Sequence, residues 1–173
     1  IKTKGVVLEL ENSATEFTRK GNRTVVSTGR GTQIECDLVI LSIGIRPETQ
    51  LARAANLEIG EHGGIKVNAG MQTSDPDIFA VGDAVEIKEL VTGAPAIIAL
   101  AGPANKQGRI AADNVMGRPT PFGGVLGTAI AKVFDLAVAS TGASAKTLEK
   151  HGVPFLASYT HPSSHAGYYP GAA

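Results

Sequence analysis

Few side chains in this sequence are placed to do chemistry, and the best placed is the carboxylate of Asp83. It follows Ile78-Phe79-Ala80-Val81, an apolar run too short for a helix and read as a buried strand. Between them Gly82 permits a sharp turn with the backbone close to whatever lies beyond. At the carboxyl end of a strand in an open α/β sheet, where nucleotides sit, such a carboxylate can accept hydrogen bonds from the vicinal hydroxyls of a sugar or ribitol chain. The local sequence by itself favours a simpler role, in which Asp83 caps the next turn. The single cysteine, Cys36, has no second cysteine and no adjacent base or cation to make it a thiolate, so it reads as a small structural residue. Lys106 and Arg109 stand three apart on an expected helix and read as its solvated side. Arg46, before the stiffening Pro47, has two readings: a guanidinium held against a carboxylate, or a solvated side chain, with the second favoured.

Four stretches, taken together, carry a resemblance. Thr73-Ser74-Asp75-Pro76-Asp77-Ile78-Phe79-Ala80-Val81-Gly82-Asp83-Ala84 resembles the second FAD-binding motif of the flavin-dependent pyridine nucleotide-disulfide reductases and their two-dinucleotide-binding relatives. Three further stretches match in that family's order: Asp37 to Pro47, Ala99 to Arg109 and His165 to Gly171. The last two are most similar to the branch of coenzyme A-disulfide reductase, NADH oxidase and NADH peroxidase, and Tyr168-Tyr169 points to the coenzyme A enzyme. Glu48 departs from the pattern, which usually has Asn after Arg-Pro.

The resemblance implies that Asp83, with Gly82, holds the ribitol of FAD. It also implies that Ile98, Ala99, Leu100 and Ala101, mostly through backbone, meet the pyrimidine end of the flavin at a helix N-terminus, where free amides and the dipole favour negative charge. It makes Tyr168 and Tyr169 catalytic candidates, because a tyrosine of this segment reaches across the homodimer and can donate to, or orient, a departing coenzyme A thiolate. At least one of the two rings is then interface packing. His161-Pro162 has a catalytic counterpart in glutathione reductase-like relatives, but no glutamate follows here to orient the imidazole, and the role is rejected.

No G-x-G-x-x-G occurs, so neither FAD nor NAD(P)H has its phosphate-binding strand-turn-helix among these residues. The family's redox cysteine is expected elsewhere too, and with Ile1 in first place the chain reads as a piece of a longer protein that binds no cofactor unaided. The implied whole is an oxidoreductase passing hydride from NAD(P)H through FAD to a cysteine centre that reduces coenzyme A disulfide, a persulfide, or peroxide or oxygen. Two alternatives stand beside it: a non-catalytic dimerisation or scaffold piece, and a ferredoxin or rubredoxin reductase-like flavoprotein.

Composition fits a soluble protein. The 173 residues balance 16 basic against 16 acidic side chains, with no Lys/Arg cluster to draw nucleic acid or an anionic membrane surface. Apolar runs such as Leu38 to Ile45 are far short of the roughly 20 residues a membrane span needs. One unpaired cysteine suits a reducing cytoplasm, and nothing suggests a metal site.

The elements that must position these residues read as follows. Gly5 to Glu11 alternates as a strand and, with Thr24 to Thr28 and Thr32 to Glu35 around Gly29-Arg30-Gly31, predicts an antiparallel meander. Leu38 to Ile43 suits a strand buried on both faces of a parallel sheet. Glu48 to Asn56 reads as a short helix with Leu51, Ala52 and Ala55 inward, and Ile65 to Asn68 as an edge strand. A helix rich in Ala and Gly runs to Met116 and stops at Gly117, with Pro103 in its first turn; its small residues admit a flat ring or a close backbone. After the Pro/Gly-rich stretch 119–124 come strands at Thr128 to Phe134 and Leu136 to Ser140, a helix capped by Ser144 and ending at His151-Gly152, and a strand over Val153 to Thr160. The expected fold class is α/β and α+β. Residues 1–45 would end an NAD(P)-binding domain, 46–118 would be the C-terminal part of an FAD-binding domain, and 119–173 a partial C-terminal dimerisation domain.

Overall fold

The structure, a computed structural model, describes residues 1–162 and 165–171, and its elements fall into two compact units, Ile1–Arg46 and Pro47–Ala173. In the first unit β1 (Ala14–Lys20), β2 (Arg23–Thr28) and β3 (Gln33–Cys36) form an antiparallel meander in that order. The two-residue turn Gly21-Asn22, with Gly21 at φ 61, closes β1 on β2 so that Lys20 pairs with Arg23. The second connection is held by the buried Thr28, whose hydroxyl accepts from Thr32 N–H and from the Asn12 amide. Lys20 is paired with the exposed Glu35, and the hydrogen bond and charge of that ammonium hold the Glu35 carboxyl below the usual carboxylate range.

The meander is present, but its first strand is 14–20 and not Gly5 to Glu11, which forms no ladder. Alternation creates one apolar face; without a neighbouring edge to bond, the backbone has no reason to stay extended. The same reason governs Leu38 to Ile43. No described strand pairs with that run, and Leu38, Ile40, Leu41 and Ile43 are exposed instead of buried on both faces.

The second unit is mixed α/β. A three-stranded sheet runs β4 (Ile65–Lys66), β5 (Val85–Lys88), β6 (Pro95–Ala96), with β4 parallel and β6 antiparallel to the central β5. The central strand is buried at Val85, Glu86 and Ile87. Against it packs α2 (Ala101–Val115), which contributes Ile110 and Ala111 to a core completed by Met71, Phe122 and Val125. The helix begins and ends near its expected bounds: Pro103 sits in the first turn, and Gly117 at φ 71 stops it with its N–H on Asn114 O. The Asn114 side chain then latches the exit loop, donating to Thr120 O at 2.7 Å.

Met71 shows how the core is reached from a loop. Asn68 Oδ1 accepts from Gly70 N–H and Gln72 N–H, an arrangement that holds Met71 at φ 67 and drops its side chain into the core, 2% exposed. Glu86 is buried beneath the adjacent turn and accepts from His62 N–H at 2.9 Å.

α1 (Gln50–Ala54) is shorter than expected and turned differently: Ala52 is buried, whereas Leu51 and Ala55 are exposed. One small inward residue suffices because a helix of five residues presents little more than one turn to its neighbours. The hairpin β7 (Ala129–Val133) and β8 (Leu136–Ser140) follows, then α3 (Ala145–Lys150) with Ser144 Oγ accepting from Thr147 N–H, as the sequence predicts. Val153 to Thr160 forms no strand, again without a partner edge among the described residues.

The turn after β5 carries a pH dependence. Burial would raise the Glu89 carboxyl, but hydrogen bonds from Val91 N–H, Thr92 N–H and the Thr92 hydroxyl, with the charge of His151, hold it below the usual range. A carboxyl depressed in the folded state stabilises above its unfolded value and loses that contribution as pH falls through its folded value. Acidification through and below the ordinary carboxylate range is expected to lower the protection of the Val91 and Thr92 amides, read as exchange relative to their intrinsic rates. Glu89→Gln should flatten that acid limb, and an acid limb unchanged in the variant would contradict the assignment.

Candidate functional site

The site is built upward from the 73–84 segment. Thr73 is buried, and its hydroxyl lies 3.1 Å from Asp75 O and 3.0 Å from Ile78 O, while its N–H donates to Ile78 O at 2.9 Å. Asp75 Oδ1 accepts from Asp77 N–H inside the Asp75–Ile78 turn, which Ile78 N–H closes on Asp75 O at 3.1 Å. These bonds aim the following run back along Gln72, with which Phe79 makes an isolated bridge, and Ala80 N–H reaches Met71 O at 3.0 Å. The expected strand over Ile78 to Val81 is reduced to that bridge, with Val81 exposed, because its backbone is committed to a tight loop and not to the sheet.

Gly82 to Ala84 then form a single 3-10 turn that feeds β5. Asp83 therefore lies before the central strand and not at the end of a preceding one. Gly82 stands at φ 86, the left-handed region that a side chain enters only with strain, and no atom lies within 4 Å of where a Cβ would sit. The surface beside the turn is thus open to a close-approaching group. Asp83 is exposed, and its carboxylate has no hydrogen-bond or ion-pair partner among the described residues. No N–H of the turn donates a capping bond to it, so the simpler capping role is absent here.

What fixes this turn is Gln107, to which sequence reasoning assigned no role. It lies in the middle of α2, is 1% exposed, and its Oε1 accepts from Gly82 N–H at 2.7 Å. A polar residue at an apolar helix position was the available signal, since a buried amide demands a partner.

Ile98, Ala99 and Leu100 lead into α2 and Ala101 begins it. Leu100 is extended at φ −137, no side chain caps the helix, and Leu100 N–H is used by Ile98 O. The N–H groups of Ala101 and Gly102 therefore have no side-chain acceptor among the described residues, while Pro103 has no N–H and Ala104 N–H reaches Leu100 O. The structure brings the Gly82-Asp83 turn and α2 together through Gln107.

Tyr168 and Tyr169 lie elsewhere in the same unit. Their rings are 4.7 Å apart between centroids, His165 is 6.0 Å from Tyr169, and the tail folds on itself with Tyr169 N–H on Ala166 O. Both rings are exposed, Tyr168 at 81%. His161 is exposed as well, and Ser163 and Ser164 of the same tail lie outside the described residues. Cys36 is half-buried with its thiol 3.6 Å from Thr24 O. Among the described residues no cluster of His, Cys, Asp and Glu could hold a metal ion, and no helix is long and apolar enough to cross a membrane.

Comparison with known proteins matches these features to a set of enzymes. A family model described as pyridine nucleotide-disulphide oxidoreductase matches residues 1–108. The NAD(P)H sulfur oxidoreductase (CoA-dependent) of Pyrococcus abyssi is 37% identical over 166 residues, which cover 96% of this chain and 37% of that protein. A NAD-dependent persulfide reductase structure from A. fulgidus superposes with a TM-score of 0.94 at 35% identity, covering 99% of this chain and 32% of the other. The reduced CoADR-RHD structure of Bacillus anthracis gives a TM-score of 0.87 at 45% identity, covering 94% and 29%. The chain spans about a third of the length of the curated relatives it matches.

Proposed function

This chain belongs to the pyridine nucleotide-disulphide oxidoreductase family, and from that membership we propose that it supplies the ribitol contact and flavin-facing helix of an NAD(P)H-dependent flavoprotein reducing coenzyme A disulfide or a coenzyme A persulfide. The observation that carries the reading is the unpartnered Asp83 carboxylate on an open turn locked to α2. FAD and NAD(P)H belong to the family, and the described residues fit the flavin at two places. Asp83 can accept from ribityl hydroxyls while the Cβ-free surface of Gly82 leaves room for the chain. The uncapped start of α2, after Ile98, Ala99 and Leu100, presents amide donors to the pyrimidine edge. Held by Asp83, Gly82 and the start of α2, FAD would supply two-electron chemistry between NAD(P)H and a disulfide or persulfide. The balance for the disulfide is NAD(P)H and one proton with CoA-S-S-CoA giving NAD(P)+ and two CoA-SH.

Residues 1–45 are assigned to the end of an NAD(P)-binding domain, 46–118 to the FAD-binding domain and 119–173 to a dimerisation domain of the whole protein, which works as a homodimer. The phosphate-binding glycine turns are no part of these residues, so the chain by itself is expected to bind no flavin. One of Tyr168 and Tyr169 holds a proton at its phenol oxygen where a coenzyme A thiolate departs, and the other packs at the interface. Their exposure supports the assignment, since a tyrosine that serves the other subunit must be free of its own core.

The test is NAD(P)H-driven turnover of coenzyme A disulfide by the whole protein. Replacing each tyrosine by phenylalanine is expected to lower kcat about 10-fold or more for one and to leave the other within about 2-fold. Oxygen consumption by the same protein should change little. Two phenylalanine variants that both turn over coenzyme A disulfide normally would remove the tyrosines from the chemistry.

A further inference from the structure

We propose that Gln107 is the positioning residue of this site: through Gly82 it sets the direction of Asp83 and ties the ribitol contact to the flavin-facing helix. The inference rests on the flavin reading above. Its evidence is the geometry of one amide. Gln107 is 1% exposed in the middle of α2, and its Oε1 accepts from Gly82 N–H at 2.7 Å. Gly82 is the first residue of the 3-10 turn and stands at φ 86. A glycine has the widest choice of backbone angles, so a turn that starts on one needs an outside constraint if the next side chain is to keep one direction. The Gln107 side-chain carbonyl is that constraint, and among the described residues the Asp83 carboxylate has no partner of its own to hold it.

The placement also links two contacts that are distant in sequence. Gln107 lies on the helix whose first residue is Ala101, so a shift of the helix start relative to the sheet is transmitted to the Asp83 turn through this part-buried hydrogen bond. A buried amide lacking its partner is costly, which keeps the bond closed in the folded state.

The experiment is a double-mutant cycle on FAD affinity in the whole protein, read by flavin fluorescence. Gln107→Leu is expected to weaken FAD about 10-fold, the size of one lost well-placed hydrogen bond. Gln107→Glu keeps an acceptor and should stay within about 3-fold of the parent. In an Asp83→Ala background Gln107→Leu should add almost nothing, because its effect passes through that carboxylate. Equal weakening with and without Asp83 would overturn the inference alone, as a purely structural glutamine would give. No effect of Asp83→Ala would overturn the flavin reading together with it. Should Gln107→Leu fail to fold, amide exchange in the unmutated protein decides: the Gly82 N–H is expected to be protected, and exchange as fast as in an open loop would refute the positioning role.

Discussion

Replacing Asp83 by alanine in the flavin-loaded protein should raise the FAD dissociation constant by about 10- to 100-fold, the worth of one or two hydrogen bonds to a charged acceptor. Asp83→Asn retains one acceptor oxygen and should fall between the two. The folded apoprotein should hardly notice either change, because Asp83 is exposed and, among the described residues, caps nothing and pairs with nothing. A stability change within about 0.5 kcal/mol is the expectation for such a surface site. Affinity and stability therefore separate cleanly. A carboxylate kept at a strain-prone Gly turn without a structural duty is what a ligand contact looks like before the ligand arrives. Fluorescence titration of FAD alongside urea unfolding of the same variants is the check.

The largest effect on stability is expected at Met71. Its side chain is 2% exposed among Val85, Ile87, Ile110 and Phe122, so Met71→Ala should cost about 2–4 kcal/mol through lost transfer energy and the cavity left behind. Met71→Leu preserves volume and should cost less than about 1.5 kcal/mol. The backbone there is already held at φ 67 by the Asn68 side chain, and alanine gains nothing from that conformation. Because Ala80 N–H bonds to Met71 O, the damage should reach the Asp83 turn, and Met71→Ala should weaken flavin retention as well. Urea unfolding followed by circular dichroism gives the number.

Elements that carry their own stop signals were legible in the sequence. α2 was readable from small residues ending at Gly117, α3 from Ser144 and Gly152, and the β7–β8 hairpin from two apolar runs around Asp135. Strands that depend on a partner were not. The run Leu38 to Ile43 has strand composition yet no edge to join, whereas β1 has every residue exposed and no apolar alternation, and forms because the Gly21-Asn22 turn lays it on β2. At the site, Gly82 and Asp83 could be picked out by residue type and order. Gln107 showed only as a polar residue at an apolar position of α2, and its partner, 25 positions away in sequence, was not legible. Thr73 lies within the motif, but that its hydroxyl stitches the turn beneath Ile78 follows only from the hydrogen bonds.

Whether the Asp83 carboxylate holds the ribityl chain of the flavin is decided by an FAD analogue that lacks the ribityl hydroxyls. Binding of FAD and of that analogue is to be compared in the parent protein and in Asp83→Ala. Removing the hydroxyls should weaken binding to the parent about 10-fold or more and leave the alanine variant nearly unchanged. Equal weakening in both proteins would place the hydroxyls in contact with some other group and contradict the claim.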